Sequence, residues 1–351
     1  MTRFFTSGTS GPSGRHRVRW YAARVGGLLL ALAAAALAAL AAHRSARDAQ
    51  AGQQWPAAGV LVDVGGHRLH LRCMGEGAAP TLVFEAGMGG WSQDWSVVQP
   101  LLAHGGRVCS YDRAGYAWSD TPSPLPTGMR AVRDLHRLLD AAGVPSPRIL
   151  VGHSMGGLLV GMYARTFPRD VAGLAFIDAV GRDYVAQFPP KRYTAFRTSL
   201  ARLLSMASVL ARWGVPQVAG QGASLVAARL PVHERSAAEA WSLTARHFQT
   251  LRDENAAFDR ALEEARSLGP LPEVPVRVLS SGVMREFPPG LQDDVMRAAW
   301  SGNQRSIARE AGVQAQVLER SGHYLHLDDP AAVVRALQTL RAELRERARK
   351  S

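Results

Sequence analysis

Apolar positions along this chain fall into short runs at regular intervals. Val60-Leu61-Val62-Asp63-Val64 and His67-Arg68-Leu69-His70-Leu71-Arg72 alternate with period two, and Gly65-Gly66 separates them. That pattern predicts a β-hairpin with one face buried. The runs that follow are shorter and more continuously apolar: 81–85, 107–111, 148–151, 174–177, 276–279 and 315–318. Such runs are expected of strands buried on both faces. Helical periodicity separates most of them, over 95–104, 128–142, 158–167 and 331–347. An antiparallel start followed by strand–helix alternation predicts an α/β protein with a mostly parallel, doubly wound sheet. Its chemistry is then expected at the carboxyl ends of the strands. Between Asp183 and Pro272 the alternation stops and the pattern is helical, with Trp213, Trp241 and Phe248. This predicts a helical insertion, a cap over residues 183–272, between core segments 59–182 and 273–351.

One further run has a different period. Val25 to Ala42 carries no charge and is built mainly from Ala and Leu. A soluble helix apolar on every side would need partners all round it, so the segment reads as a transmembrane anchor, or alternatively as a cleaved signal. Residues 1–24 are expected to form a basic tail, and residues 43–58 a linker to the first strand.

Charge refines this picture. The net charge of +12 suggests nucleic acid at first sight, but residues 1–50 hold seven arginines and one acidic residue, which is half of it. Arginines flanking an apolar segment set membrane topology and meet anionic headgroups. No basic run interleaved with aromatic residues occurs elsewhere, so a nucleic-acid partner is not expected. The heavier arginine load before the segment predicts that the N-terminus stays inside and the rest is exported. Cys73 and Cys109 both fall in predicted strands, and an exported protein permits a disulfide between them or leaves two buried thiols.

The chemistry centres on Gly152-His153-Ser154-Met155-Gly156. An apolar strand precedes it and a helix follows, which is the context that gives G-x-S-x-G its meaning as a nucleophile elbow. Glycine at 152 and 156 clears the turn, and the helix N-terminus directs its amides at developing negative charge. Ser154 is therefore the candidate nucleophile.

Three further segments stand in order around this elbow: Glu85-Ala86-Gly87-Met88-Gly89-Gly90, Tyr111-Asp112-Arg113-Ala114-Gly115-Tyr116-Ala117-Trp118-Ser119 and Ser321-Gly322-His323-Tyr324-Leu325-His326-Leu327. With these four motifs the chain resembles the α/β-hydrolase family from about residue 60 to its end. The resemblance implies that His323, after the last strand, is the base for Ser154, with His326 as its competitor and His153 pointing away. Many family members carry an aspartate after the seventh strand, but 279–287 contains none. Asp178, ending the sixth strand, is the expected acid, with Glu286 and Asp183 as alternatives. The oxyanion hole is expected from the Met88 and Met155 amides, and Trp91 and Trp95 are expected to wall the acyl pocket. Asp112-Arg113 reads as structural.

No metal-ligand spacing, P-loop or dinucleotide fingerprint stands out, so neither metal nor cofactor is expected. The implied activity is hydrolysis of a small-molecule carboxylic ester through an acyl-enzyme, and the apolar insertion and membrane segment point to lipophilic esters. Amide or lactone hydrolysis, cofactor-free peroxide chemistry and a non-catalytic binder on the same fold are the alternatives. A serine at 154 argues against the haloalkane dehalogenase and epoxide hydrolase branches, whose nucleophile is a carboxylate.

Overall fold

Strand runs buried on both faces need helices on both sides, and the chain folds accordingly. A computed structural model describes residues 14–77, 80–215, 226–285 and 293–350. Strands β1 (Val60–Asp63) and β2 (Arg68–Met74) form the hairpin. Gly65 and Gly66 turn it at positive φ, and their amides donate to Asp63 Oδ1 at 2.8 and 3.2 Å. The strands β3 (Leu82–Glu85), β4 (Val108–Tyr111), β5 (Arg148–His153), β6 (Val171–Ile177), β7 (Val276–Ser281) and β8 (Ala315–Leu318) complete an eight-stranded sheet in the order β1-β2-β4-β3-β5-β6-β7-β8. Pairings β1–β2 and β2–β4 are antiparallel; all others are parallel.

Alternate side chains of the central strands serve opposite layers. Leu82, Phe84, Ile149, Val151, Ala175 and Ile177 pack beneath α2 (Val98–Ala103) and α9 (Pro330–Lys350). Val83, Leu150, Leu174 and Phe176 pack against α3 (Met129–Ala141) and α4 (Met155–Thr166). Burying each large aliphatic or aromatic side chain contributes roughly 1.5–3 kcal/mol, and the buried polar residues of these strands, Glu85, Arg148 and His153, stand at strand ends and are hydrogen-bonded. Cys73 and Cys109 lie directly opposite each other across β2 and β4 and form a disulfide.

Two differences from the sequence reading concern helices. The N-terminal helix α1 runs from Gly14 to Gln54, so residues expected as linker up to position 54 are helical, as is the tail from position 14. Residues 43–54 lack proline and are rich in helix-favouring Ala, Arg and Gln, and Pro56 follows just after the helix ends. The end of α1 is also anchored by packing. Ala51 is buried, α1 rests on helix α6 (Val232–Ser242), and Trp118 Nε1–H donates to the Trp55 carbonyl at 2.8 Å.

The second difference is a helix between the last two strands, α8 (Asp294–Glu310), which the sequence pattern left unassigned. Its buried apolar positions Met296, Ala299, Trp300 and Ile307 are interrupted by Arg297 and by the run Ser301-Gly302-Asn303-Gln304-Arg305-Ser306, which breaks the apolar periodicity. Asp293 caps it by accepting from the Met296 amide at 2.9 Å.

Within 183–272 the described residues form helices and no strand: α5 (Pro190–Arg212), α6 and α7 (Ala245–Ser267). Helices α5 and α7 are clamped together by Tyr193 and Arg197 on Asp259.

Candidate active site

The strand order reverses beside β3 and β5, which are parallel neighbours with Glu85 opposite Gly152. A crevice opens at their carboxyl ends, where an open α/β sheet places its ligands. Ser154 stands there, between β5 and α4, at φ 52° and ψ −124°. An L-residue in this region is strained by about 1–3 kcal/mol, and the surrounding structure has to enforce it. Here the Ser154 carbonyl accepts from the Gly157 and Val180 amides at 2.9 and 2.8 Å.

The glycines are equally determined by geometry. A Cβ on Gly152 would lie 2.5 Å from the Gly156 carbonyl oxygen, and one on Gly156 would lie 2.4 Å from that of Glu85. The turn closes only without side chains at both positions.

His323 follows β8 and aims its ring into the crevice. Its Nε2 is 3.0 Å from Ser154 Oγ, and its Nδ1 is 2.7 Å from Asp178 Oδ2. Asp178 ends β6 at φ 43° and is fully buried. Its Oδ1 accepts from the Ser281 amide at 2.8 Å, the Ser281 hydroxyl at 3.0 Å and Trp300 Nε1–H at 3.0 Å. The carboxylate is thus held by β7 and α8 while its other oxygen faces His323. The sequence singles out neither Ser281 nor Trp300, since no motif marks a serine at a strand end or a tryptophan inside a helix. Of the alternative acids, Asp183 lies near Arg266, 3.9 Å from its guanidinium. Glu286 lies outside the described residues.

The neighbouring histidines have other roles. His153 Nε2–H donates to the His323 carbonyl at 2.9 Å, steadying the loop that carries the ring. Burial, reinforced by His323 and His326, holds the His153 imidazole well below its ordinary range. His326 is fully buried against Trp95, with ring centroids 4.5 Å apart, and burial lowers it to about 3. Its ring lies in the core, whereas His323 is the histidine within hydrogen-bond distance of Ser154 Oγ.

Met88, Gly87, Gly89 and Gly90 line a cavity of about 60 Å³ together with Ser154, His153, His323, Tyr324, Val226 and Asp94. Among the described residues the Met88 amide donates to no protein acceptor. The Met155 amide belongs to the first turn of α4, where helical N–H groups have no intrahelical partner.

This loop is held from behind by a buried arginine. Arg113 donates to the carbonyls of Ala86 and Gly87, each at 2.7 Å, and pairs with Glu85 and with Glu254 of α7 at 2.7 Å each. Tyr116 completes the support, donating to Glu254 at 2.7 Å and accepting from the Gly89 amide at 3.2 Å. Burial pushes the Glu85 carboxyl up against the opposing pull of Arg113.

Trp91 and Trp95 do not line this cavity, contrary to the sequence reading. Trp95 is fully buried and stacks on Phe84 at 4.4 Å, while Trp91 packs among Tyr116, Ala227 and Leu230. Trp91 immediately precedes the short 3-10 turn Ser92–Trp95, all four residues of which are buried.

A family model for the α/β-hydrolase fold matches residues 80–306. The chain belongs to that family. Over 157 residues it is 32% identical to a probable transporter, efuK, of Hormonema carpetanum, covering 43% of this chain and 22% of that one. Over 126 residues it is 33% identical to the 2-hydroxy-6-oxo-2,4-heptadienoate hydrolase of Pseudomonas putida, covering 35% and 45%. The matched segments therefore span less than half of these curated relatives. Among solved structures, an esterase from Thermogutta terrifontis superposes with a TM-score of 0.56 at 20% identity, over 81% of this chain and 98% of that one. At that identity the likeness is one of α/β-hydrolase fold.

Proposed function

We propose that the protein is a serine hydrolase that cleaves carboxylic esters through an acyl-enzyme. The observation that carries this reading is the continuous hydrogen-bonded chain from Ser154 Oγ through His323 to Asp178, on a strained elbow beside free backbone amides. A serine hydroxyl is a weak nucleophile until a base takes its proton. His323 Nε2 receives that proton as Ser154 Oγ bonds to the ester carbonyl carbon. Asp178, held by Ser281 and Trp300, fixes the Nδ1–H tautomer and stabilises the imidazolium. The Met88 and Met155 amides receive the oxyanion, each donor contributing on the order of 3 kcal/mol. His323 then gives its proton to the departing alkoxide, so the alcohol leaves. Water, deprotonated by the same nitrogen, displaces Ser154 and releases the acid.

The same reading places the hydrolase domain outside the cytoplasmic membrane, anchored by α1. Arginine-rich flanks on an apolar helix support the anchor, and the Cys73–Cys109 disulfide supports an oxidising compartment.

Labelling of the full-length protein with a fluorophosphonate tests the hydrolase reading. The wild type is expected to label, and Ser154→Ala and His323→Ala to lose labelling while remaining folded. A folded wild type that takes no label would instead make the protein a binder on this fold.

A further inference from the structure

Helix α5 has two faces of unusual composition. Leu204, Ser208 and Ala211 are buried against the body of the protein. A helix with such an inner stripe ordinarily turns polar residues outward. The outward stripe here is apolar instead: Leu203 is 54% exposed, Met206 58%, Val209 54% and Leu210 42%, and Trp213 follows at the helix end. The 203-206-210-213 spacing keeps these side chains on one face. Arg202 and Arg212 flank it.

The position of this stripe says what covers it. The end of α5 abuts α1, since a Cβ on Gly214 would sit 2.9 Å from the Leu40 carbonyl oxygen and 3.1 Å from Arg44 Cβ. Leu40 belongs to the uncharged stretch of α1, and Arg44 to the basic residues that follow it. The apolar face of α5 thus begins where the apolar surface of α1 ends. That surface is itself bare, with Leu28, Leu29, Leu30, Leu32 and Leu37 exposed.

We infer that the outer face of α5 is a membrane contact. The helix lies in the headgroup–acyl boundary of the same leaflet that α1 crosses. Leu203, Met206, Val209 and Leu210 enter the acyl region, Trp213 sits at the interface, and Arg202 and Arg212 reach the lipid phosphates. An exposed apolar stripe with flanking arginines and a terminal tryptophan is the composition of an interfacial helix. Continuity with α1 favours lipid over a second copy of the chain.

This inference rests on α1 being a membrane anchor. It also bears on the substrate of Ser154, because α5 is clamped to α7, and α7 touches the oxyanion loop. A Cβ on Gly89 would lie 3.2 Å from Leu251. Esters dissolved in the leaflet are the substrate class delivered to such a site.

The test uses the full-length protein in phosphatidylcholine–phosphatidylglycerol vesicles. Because both native cysteines are paired in the disulfide, Met206→Cys or Leu210→Cys supplies a unique thiol for an environment-sensitive fluorophore. Leu30→Cys reports on α1, and Thr194→Cys on the exposed N-terminal part of α5. The expected result is a blue shift at 206 and 210, with most of the emission lost to doxyl-labelled lipids, and no change at 194. Quenching at 30 with water-exposed probes at 206 and 210 would overturn the inference and leave the anchor intact. A water-exposed probe at 30 would remove the anchor, and this contact with it. Probes at 206 and 210 that are shielded from water but unquenched by lipid would mean that protein covers the face, which also overturns the inference. As a second readout, Met206→Glu with Leu210→Glu should lower turnover of a vesicle-embedded ester several-fold and leave a soluble ester unaffected. Equal effects on both substrates would count against a lipid contact.

Discussion

At the scale of single residues, the proposed acid is the most tightly constrained group in the site. Asp178 Oδ1 accepts from the Ser281 amide and Trp300, while Oδ2 faces His323 and also lies 3.0 Å from the Ser281 hydroxyl. In Asp178→Asn the amide oxygen has to stay with those donors, so the NH2 faces His323 and forces the wrong imidazole tautomer. Ester turnover is expected to fall by about 10⁴-fold. Trp300→Phe removes one donor to a charged group and should cost about tenfold, measured as kcat/KM. A second residue-scale prediction concerns Asp94. Its carboxyl is buried beside the cavity and pushed up to about 7, chiefly by burial, with Arg113 and the Trp91 amide opposing. A carboxyl raised in the folded state favours folding below its ordinary range, and that contribution is lost as pH rises through the folded value. Stability should therefore decline between about pH 4 and 7 by on the order of 4 kcal/mol from this group alone. Asp94→Asn should flatten that decline in urea titrations at a series of pH values. An unchanged slope would remove Asp94 as its cause.

At the scale of elements, the elbow works because three segments meet with no room to spare. The turn at Gly152–Gly156 is pressed against the end of β3, and Ser154 is held at positive φ by amides from α4 and from the segment after β6. Gly156→Ala puts a methyl into the Glu85 carbonyl. It should destabilise the protein by about 3 kcal/mol, read from the urea midpoint, and reduce fluorophosphonate labelling in the fraction that folds. The neighbouring loop depends on α7 in the same way. Glu254 reaches in from the insertion to Arg113, and Arg113 holds the carbonyls of the oxyanion loop. Through Glu254 the helical segment 183–272 is thus part of the scaffold behind residues 86–87. This was legible only in part. The sequence marks Arg113 as structural, but nothing in a helix of ordinary composition singles out Glu254.

For the molecule as a whole, the sheet is stitched at its antiparallel edge by Cys73–Cys109, which closes a loop over a sequence separation of 36. Replacing both cysteines by alanine should lower stability by about 4 kcal/mol in the chain-entropy picture, checked by denaturant unfolding. A much smaller loss would mean that the loop is already restricted in the unfolded chain. The disulfide, the long apolar α1 and its arginine-rich flanks are the observations on which the proposed placement of the body outside the membrane rests.

The sequence by itself determined the strands, the hairpin, the elbow and the family, because these depend on local periodicity and on glycines that a tight turn requires. It also placed Ser154, His323 and Asp178 at strand ends, where a doubly wound sheet collects its chemistry. Tertiary structure alone decided the rest. The docking of the end of α1 on α6 is a tertiary contact, and the pairing of the cysteines follows from the β2–β4 register. Trp91 and Trp95 belong to the core, although their composition suited a pocket equally well. The donors to Asp178 and the glutamate behind Arg113 come from segments more than a hundred residues away. Contacts between distant segments leave no periodic trace in a single sequence, because any polar residue at the right depth would satisfy them.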